Sequence, residues 1–175
     1  AKDSQGKIIR VTIGDEEQAL IEGRTGGKID DKFYRVYAKH QRFDSTTTIT
    51  GDENSNDWNR TQAGFRMDWE NQSSDEITFQ GDSYLNVLDS TSVLPTTTAA
   101  SNFTTNMNLA QELGGSNLLL RWQHKHDNGA ASTFKTYLDY AFRNFITLDQ
   151  NNYTFDAEYQ YHQQINKKNE LFFGF

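Results

Sequence analysis

The chain reads as an all-β protein, an antiparallel up-and-down meander of about nine long strands that forms part of a larger β-barrel and is not closed on its own. The clearest observation is a strict period of two. From Gln62 to Trp69, Ala63, Phe65, Met67 and Trp69 alternate with Gln62, Gly64, Arg66 and Asp68, which sorts the two sets onto opposite faces of one strand. A second observation is compositional. Only 35% of the 175 residues are hydrophobic, yet 13% are aromatic and Thr and Tyr are abundant; disordered chains lack such residues, whereas strands favour them. The third is punctuation: polar clusters containing Gly, Asn or Asp recur between the alternating runs, as turns do in a meander.

Taken in order, the first strand is expected over Gln5–Ile13, followed by a Gly14-Asp15 turn and a second strand over Gln18–Lys28. Asp30-Asp31 turns into a third over Lys32–Phe43, where Tyr34, Val36 and Ala38 alternate with Arg35, Tyr37 and Lys39. A long polar loop, Asp44–Asp57, leads to a hairpin from Trp58 to Tyr84 whose turn is Glu70–Asp75 and whose second arm sets Ile77, Phe79 and Gly81 against Thr78, Gln80 and Asp82. The Ser/Thr/Asn-rich stretch from Leu88 to about Gly115, with the single proline Pro95, reads as irregular. A sixth strand follows over Asn117–His126, then a strong Asp127-Asn128-Gly129 turn. A seventh covers Thr133–Asn144, a loop lies around Asp149-Gln150-Asn151, and an eighth covers Tyr153–Gln163. A turn over Asn166–Asn169 opens a ninth. The chain begins on Ala1 and stops on Leu171-Phe172-Phe173-Gly174-Phe175, an apolar strand that is expected to continue in a longer protein. The whole is expected to be one partial barrel domain.

Charge and chemistry exclude several function classes. With no cysteine there is no disulfide framework or thiolate metal site. A net charge of −7 opposes a nucleic-acid surface, which needs a positive footprint. No G-x-S-x-G, phosphate loop or H-E-x-x-H occurs, and the chain reads as a non-enzyme with no cofactor. His124-x-His126 puts two imidazoles on one face of a strand, where they are able to share a metal, although a solvated strand end fits them better. Asp52, Glu53, Asn54, Asn56 and Asp57 resemble half of a calcium loop, but Asp57 and Ala63 stand where such a loop needs Gly and an acid. A polar surface loop is the better reading. Asn59, Asn71, Asn102 and Asn152 begin N-x-S/T triplets, which the abundance of Asn and Thr explains by chance.

No apolar run of about 18 residues occurs, so no helix crosses a membrane; a barrel strand needs no such run. Connections alternate between long and short after the third strand, so the long ones project from one rim and the short ones from the other. That asymmetry is the mark of an outer-membrane barrel. Phe33, Trp69, Ile77, Trp122, Phe134, Tyr161 and Leu171 fall near the short-turn rim and suit an interfacial aromatic belt. A soluble sandwich or barrel shows the same alternation with its apolar face turned inward. Strands of roughly 10 to 13 residues are long against the usual five or six, and the apolar parity mixes aromatics with Ala and Gly where a tight core uses Val, Ile and Leu.

The residues also resemble a known family. Ala1-Lys2-Asp3-Ser4-Gln5-Gly6 is similar to the junction where the plug of a TonB-dependent outer-membrane receptor passes into its barrel. Tyr34-Arg35-Val36-Tyr37-Ala38-Lys39, then Asn56-Asp57-Trp58 with Gly64-Phe65-Arg66-Met67-Asp68-Trp69, then Phe79-Gln80-Gly81-Asp82 and Leu120-Arg121-Trp122, continue the likeness in the family's order. Each match is short, and the ordered set spans nearly the whole chain.

The resemblance implies a piece of a 22-stranded bacterial outer-membrane barrel that imports a scarce solute such as a siderophore. Its partners would be outer-membrane lipid, an N-terminal plug domain, TonB and a small-molecule ligand. About nine strands cannot close such a barrel, so this chain is expected to be inactive in transport by itself and to self-associate. Residues 1–5 would be the remnant of the plug junction. Arg35, Lys39, Arg66, Asp68, Gln80, Asp82, Arg121, Asp139, Arg143, Asp156 and Glu158 would face the lumen. Ala63, Phe65, Met67, Trp69, Phe79, Leu120, Trp122, Leu138, Tyr140, Phe155 and Tyr159 would face lipid. On the soluble reading the same apolar residues form a closed core, and the long loops bind carbohydrate or protein.

Overall fold

The computed structural model describes residues 1–70, 74–97 and 103–175. It is a single antiparallel sheet whose nine strands lie in chain order. These are β1 (Gly6–Thr12), β2 (Ala19–Ile29), β3 (Lys32–Phe43), β4 (Trp58–Glu70), β5 (Asp75–Pro95), β6 (Thr104–Lys125), β7 (Ala131–Phe145), β8 (Leu148–Asn166) and β9 (Asn169–Gly174). Among the described residues there is no helix. The sheet is open, since β1 pairs only with β2 and β9 only with β8.

The alternation sets the faces and the turns set the ends. Gly129, with φ near 80°, supplies the left-handed residue of the β6–β7 turn, and Asp30, with φ near 53°, does so between β2 and β3. β3 occupies the segment its alternation predicts, and most other strand ends fall close to expectation.

Three expectations need correction. The stretch from Leu88 to Gly115 is strand up to Pro95 and again from Thr104 (98–102 lie outside the described residues), with unbroken β5–β6 register from Asp75↔His124 to Pro95↔Thr104. β4 follows β5 only to Leu88, and β7 follows β6 only as far as Glu112, so the last part of this hairpin projects as a two-stranded ribbon. Water reaches both sides of a ribbon, so no apolar parity marks it. Its Thr residues still favour strand, and Thr91 Oγ1 donates to Asn108 Oδ1 at 2.8 Å across it. The expected loop at Asp149-Gln150-Asn151 is likewise strand, paired with Asn144, Arg143 and Phe142 across β7. The connection is therefore the pair Ile146-Thr147, and the asymmetry between rims rests on segment 44–57 and the ribbon alone. Phe33, finally, stands opposite Asp68 on the polar face, under the Lys28 ammonium at 5.1 Å, and is no part of the aromatic belt.

Among the described residues no second layer covers either face. Leu20 and Ala130 are the buried apolar residues, and no large side chain among the described residues is fully buried. The accessible surface is 12181 Å², against ~8,700 Å² for a compact monomer of this length. The excess of ~3,500 Å² is what one uncovered sheet shows and a packed sandwich would not.

Candidate functional site

The register gathers the apolar parity into cross-strand rows. Trp69 pairs with Ile77, Ile77 with Trp122, Trp122 with Phe134 and Phe134 with Tyr159. Backbone hydrogen bonds of 2.9 and 3.0 Å then join Tyr159 to Phe175. This row runs along the short-turn end. Four positions further along each strand lies a second row of Val36, Phe65, Gly81, Leu118, Leu138 and Phe155. Met67, Phe79 and Leu120 lie between the two rows, and Ala63 and Tyr140 lie beyond the second. Every residue expected to face lipid is therefore on this one face. It is open to solvent as it stands: Phe155 is 70% exposed and Leu138 50%. Its hollows are shallow grooves, one of them of about 520 Å³ between Trp69, Ile77, Phe79, Leu120 and Trp122.

A polar network caps this face at the turn end, beyond the row of Trp69 and Ile77. Asp75 Oδ1 accepts from Trp122 Nε1 at 2.9 Å and meets His124 Nδ1 at 2.8 Å. His126 Nε2 lies 2.8 Å from the buried Ser132 Oγ, which is 3.0 Å from the Tyr159 hydroxyl. Ser, His and Asp are thus all present, but they form no triad. The histidine on Asp75 is His124 and the one on Ser132 is His126, so no imidazole joins acid to hydroxyl. Hydrogen bonds from His124 first and Trp122 second hold the Asp75 carboxyl below the usual aspartate range.

That depressed pKa fixes the sign of a pH effect. The tie contributes stability above the unfolded aspartate pKa and loses it as pH falls through the folded value. Acid titration followed by Trp122 emission should therefore separate wild type from Asp75→Asn at neutral pH and make them converge in strong acid. A constant difference down to the lowest pH would reject the assignment.

The polar parity shares the other face. Arg35 stands opposite Arg66, Lys39 opposite Gln62 and Asp68 opposite Thr78; Gln80 lies between Arg66 and Leu119, and Asp82 between Gly64 and Asn117. Arg121 faces Lys135, Asp139 faces Asn117 and Thr154, Arg143 faces Leu113 and Gln150, Asp156 faces Tyr137, and Glu158 faces Lys135. Arg66 Nε donates to Asp68 at 3.0 Å and its Nη1 to Gln80 at 3.2 Å, while Tyr137 donates to Asp139 at 2.9 Å.

Residues 1–5 cross this same face. Arg35 donates to Ser4 Oγ at 3.5 Å, Lys2 lies over the Phe33 ring at 5.6 Å, and the Ala1 amine meets Asp68. A Cβ at Gly26 would strike the Ser4 carbonyl, so glycine is what lets the segment lie down on β2. The Nε atoms of Arg24, Arg35 and Arg60 are buried here without a hydrogen-bond partner.

Segment 44–57 is tied to itself. Thr50 Oγ1 donates to Asp52 Oδ2 at 2.8 Å, and Asn56 Oδ1 accepts from Thr46 N at 2.8 Å. The Asp52 and Asn56 oxygens these bonds use are thereby engaged within the loop. Among the described residues no three His, Cys, Asp or Glu side chains gather as a metal set. Asn71 and Asn102 lie outside the described residues.

The Asp75 and Ser132 ties escaped the sequence reading, because only the register brings these residues to His124 and His126. Neither protein-family models, curated proteins nor solved structures give a match to this chain. The functional reading therefore rests on the sheet itself.

Proposed function

We propose that this sheet is part of the barrel wall of a TonB-dependent outer-membrane receptor, with its apolar face toward lipid and its charged face toward the lumen. The receptor would import a scarce solute such as a siderophore, and this portion would be inactive in transport alone. The observation that carries the proposal is the uncovered apolar face with its aromatic row at the turn end. On β5 the apolar parity from Ile77 to Val87 spans ten residue steps, ~33 Å of strand. At a barrel tilt near 40° that is ~25 Å, the height of the apolar band of an outer-membrane barrel. A second support is the path of residues 1–5, which lie on the charged face where a preceding plug would have to sit. A soluble binding module would need a covering layer, and the described residues provide none. Without lipid, two copies would cover the face by self-association.

The three tryptophans offer a direct test. Trp69 and Trp122 lie on the apolar face, whereas Trp58 stacks on Phe43 at 4.3 Å on the other. In vesicles of brominated phosphatidylcholine, single-tryptophan variants retaining Trp69 or Trp122 should be strongly quenched and the one retaining Trp58 should not. Equal quenching of all three, or quenching of Trp58 alone, would sink the proposal.

A further inference from the structure

We propose that His124 and His126 form an open two-nitrogen chelate for a divalent transition metal, copper(II) foremost. His124 Nδ1 lies 2.8 Å from a carboxylate oxygen of Asp75. A carboxylate only accepts, so the proton sits on Nδ1 and Nε2 keeps its lone pair, the form in which a carboxylate-supported histidine binds metal. Asp75 is itself held by Trp122 Nε1 at 2.9 Å, which fixes the acid and, through it, the ring. His126 bonds Ser132 through Nε2. Ser132 Oγ can accept from that nitrogen while giving its own proton to the Tyr159 hydroxyl at 3.0 Å, and this is the tautomer that leaves Nδ1 free for a metal.

The spacing suits a shared ion. The two ring centroids are 4.5 Å apart and the planes are 80° from each other. Two imidazoles bound at ~2.1 Å with nitrogen–metal bonds near a right angle have centroids ~4.5 Å apart. No third His, Cys, Asp or Glu among the described residues joins them, so water completes the sphere. Two imidazoles with open positions favour copper(II) over zinc(II) by the usual affinity order. This inference stands whatever solvent the apolar face meets.

The test is a copper(II) titration by calorimetry, paired with electron paramagnetic resonance. The chain has four histidines, which allows an internal control. Wild type and the double variant His40→Gln/His162→Gln should bind one copper with equal affinity and show two coupled nitrogens. His124→Gln or His126→Gln should each lose at least tenfold in affinity and show one nitrogen. Asp75→Asn should lose about tenfold while still showing two, because it supports a ligand without being one. Unchanged strand content by circular dichroism would show that each variant keeps the sheet intact. Equal affinity in wild type and His124→Gln, loss of binding in the His40/His162 control, or a one-nitrogen wild-type spectrum would overturn the site.

Discussion

Arginine at Phe155 or Leu138 is expected to abolish stable membrane insertion, whereas arginine at Thr154 is not. Phe155 and Leu138 are cross-strand partners in the row that includes Gly81, and Gly81 stands four positions from the aromatic row at Ile77. That places them near the middle of the ~25 Å apolar band, where an outward arginine costs ~2–4 kcal/mol. The cost corresponds to a loss of roughly 30- to 1,000-fold in the insertion equilibrium for one substitution. Thr154 is the next residue on β8 but points to the other face, opposite Asp139. Its arginine gains an acid and meets water. Urea titration of protein refolded into phosphatidylcholine vesicles should show the two apolar-face variants destabilised and Thr154→Arg close to wild type. Phe155 is 70% exposed without lipid, so the same variants should keep their strand content in the absence of vesicles. A closed soluble core would behave oppositely and unfold in water. Retained insertion of Phe155→Arg would remove lipid as the neighbour of this face.

Two-sidedness was legible because side-chain parity in a strand follows from geometry alone. Once Phe65 and Arg66 are placed on opposite faces, the antiparallel register carries the division across all nine strands. What stayed hidden had a common cause, the absence of contrast. Asp89–Pro95 and Thr104–Gln111 form a ribbon wetted on both sides, so neither parity is marked. Asp149-Gln150-Asn151 is polar throughout and read as a loop although it pairs with β7. Phe33 was misplaced for the reverse reason: an aromatic residue suggested a belt, although its parity with Arg35 already put it on the polar face. The network at the turn end was half legible. His124-x-His126 is local and visible, but Asp75 and Ser132 reach it only through pairing of separate strands.

Pairing also explains the glycines among the aromatics, and this yields the second large expected effect. Tyr37 is the cross-strand partner of Gly64, Phe65 of Gly81, Tyr84 of Gly115 and Phe142 of Gly114. In each pair the ring leans toward the space a side chain would fill, a known way of covering a strand glycine. Gly81, on the apolar face, is held against backbone as well as a ring. A Cβ there would come within 2.6 Å of the Asn117 carbonyl oxygen and of Leu118 Cδ2, and 3.3 Å from the Phe65 ring. Leu118 can turn aside, but the carbonyl belongs to the β5–β6 ladder and moves only if the ladder does. Gly81→Val should therefore cost ~1–3 kcal/mol by overpacking and weaken protection of the β5–β6 amides near Gln80 and Leu119. Gly23 provides the contrast. It is also mid-strand, a Cβ there meets nothing within 4 Å, and Gly23→Ala should stabilise by ~0.4–1 kcal/mol through the unfolded chain. Opposite signs at these two sites in urea unfolding and amide exchange would show that glycine in this sheet makes room for rings. A neutral Gly81→Val would mean that β5 and β6 are free to slide apart, and the continuous apolar row would lose its central link.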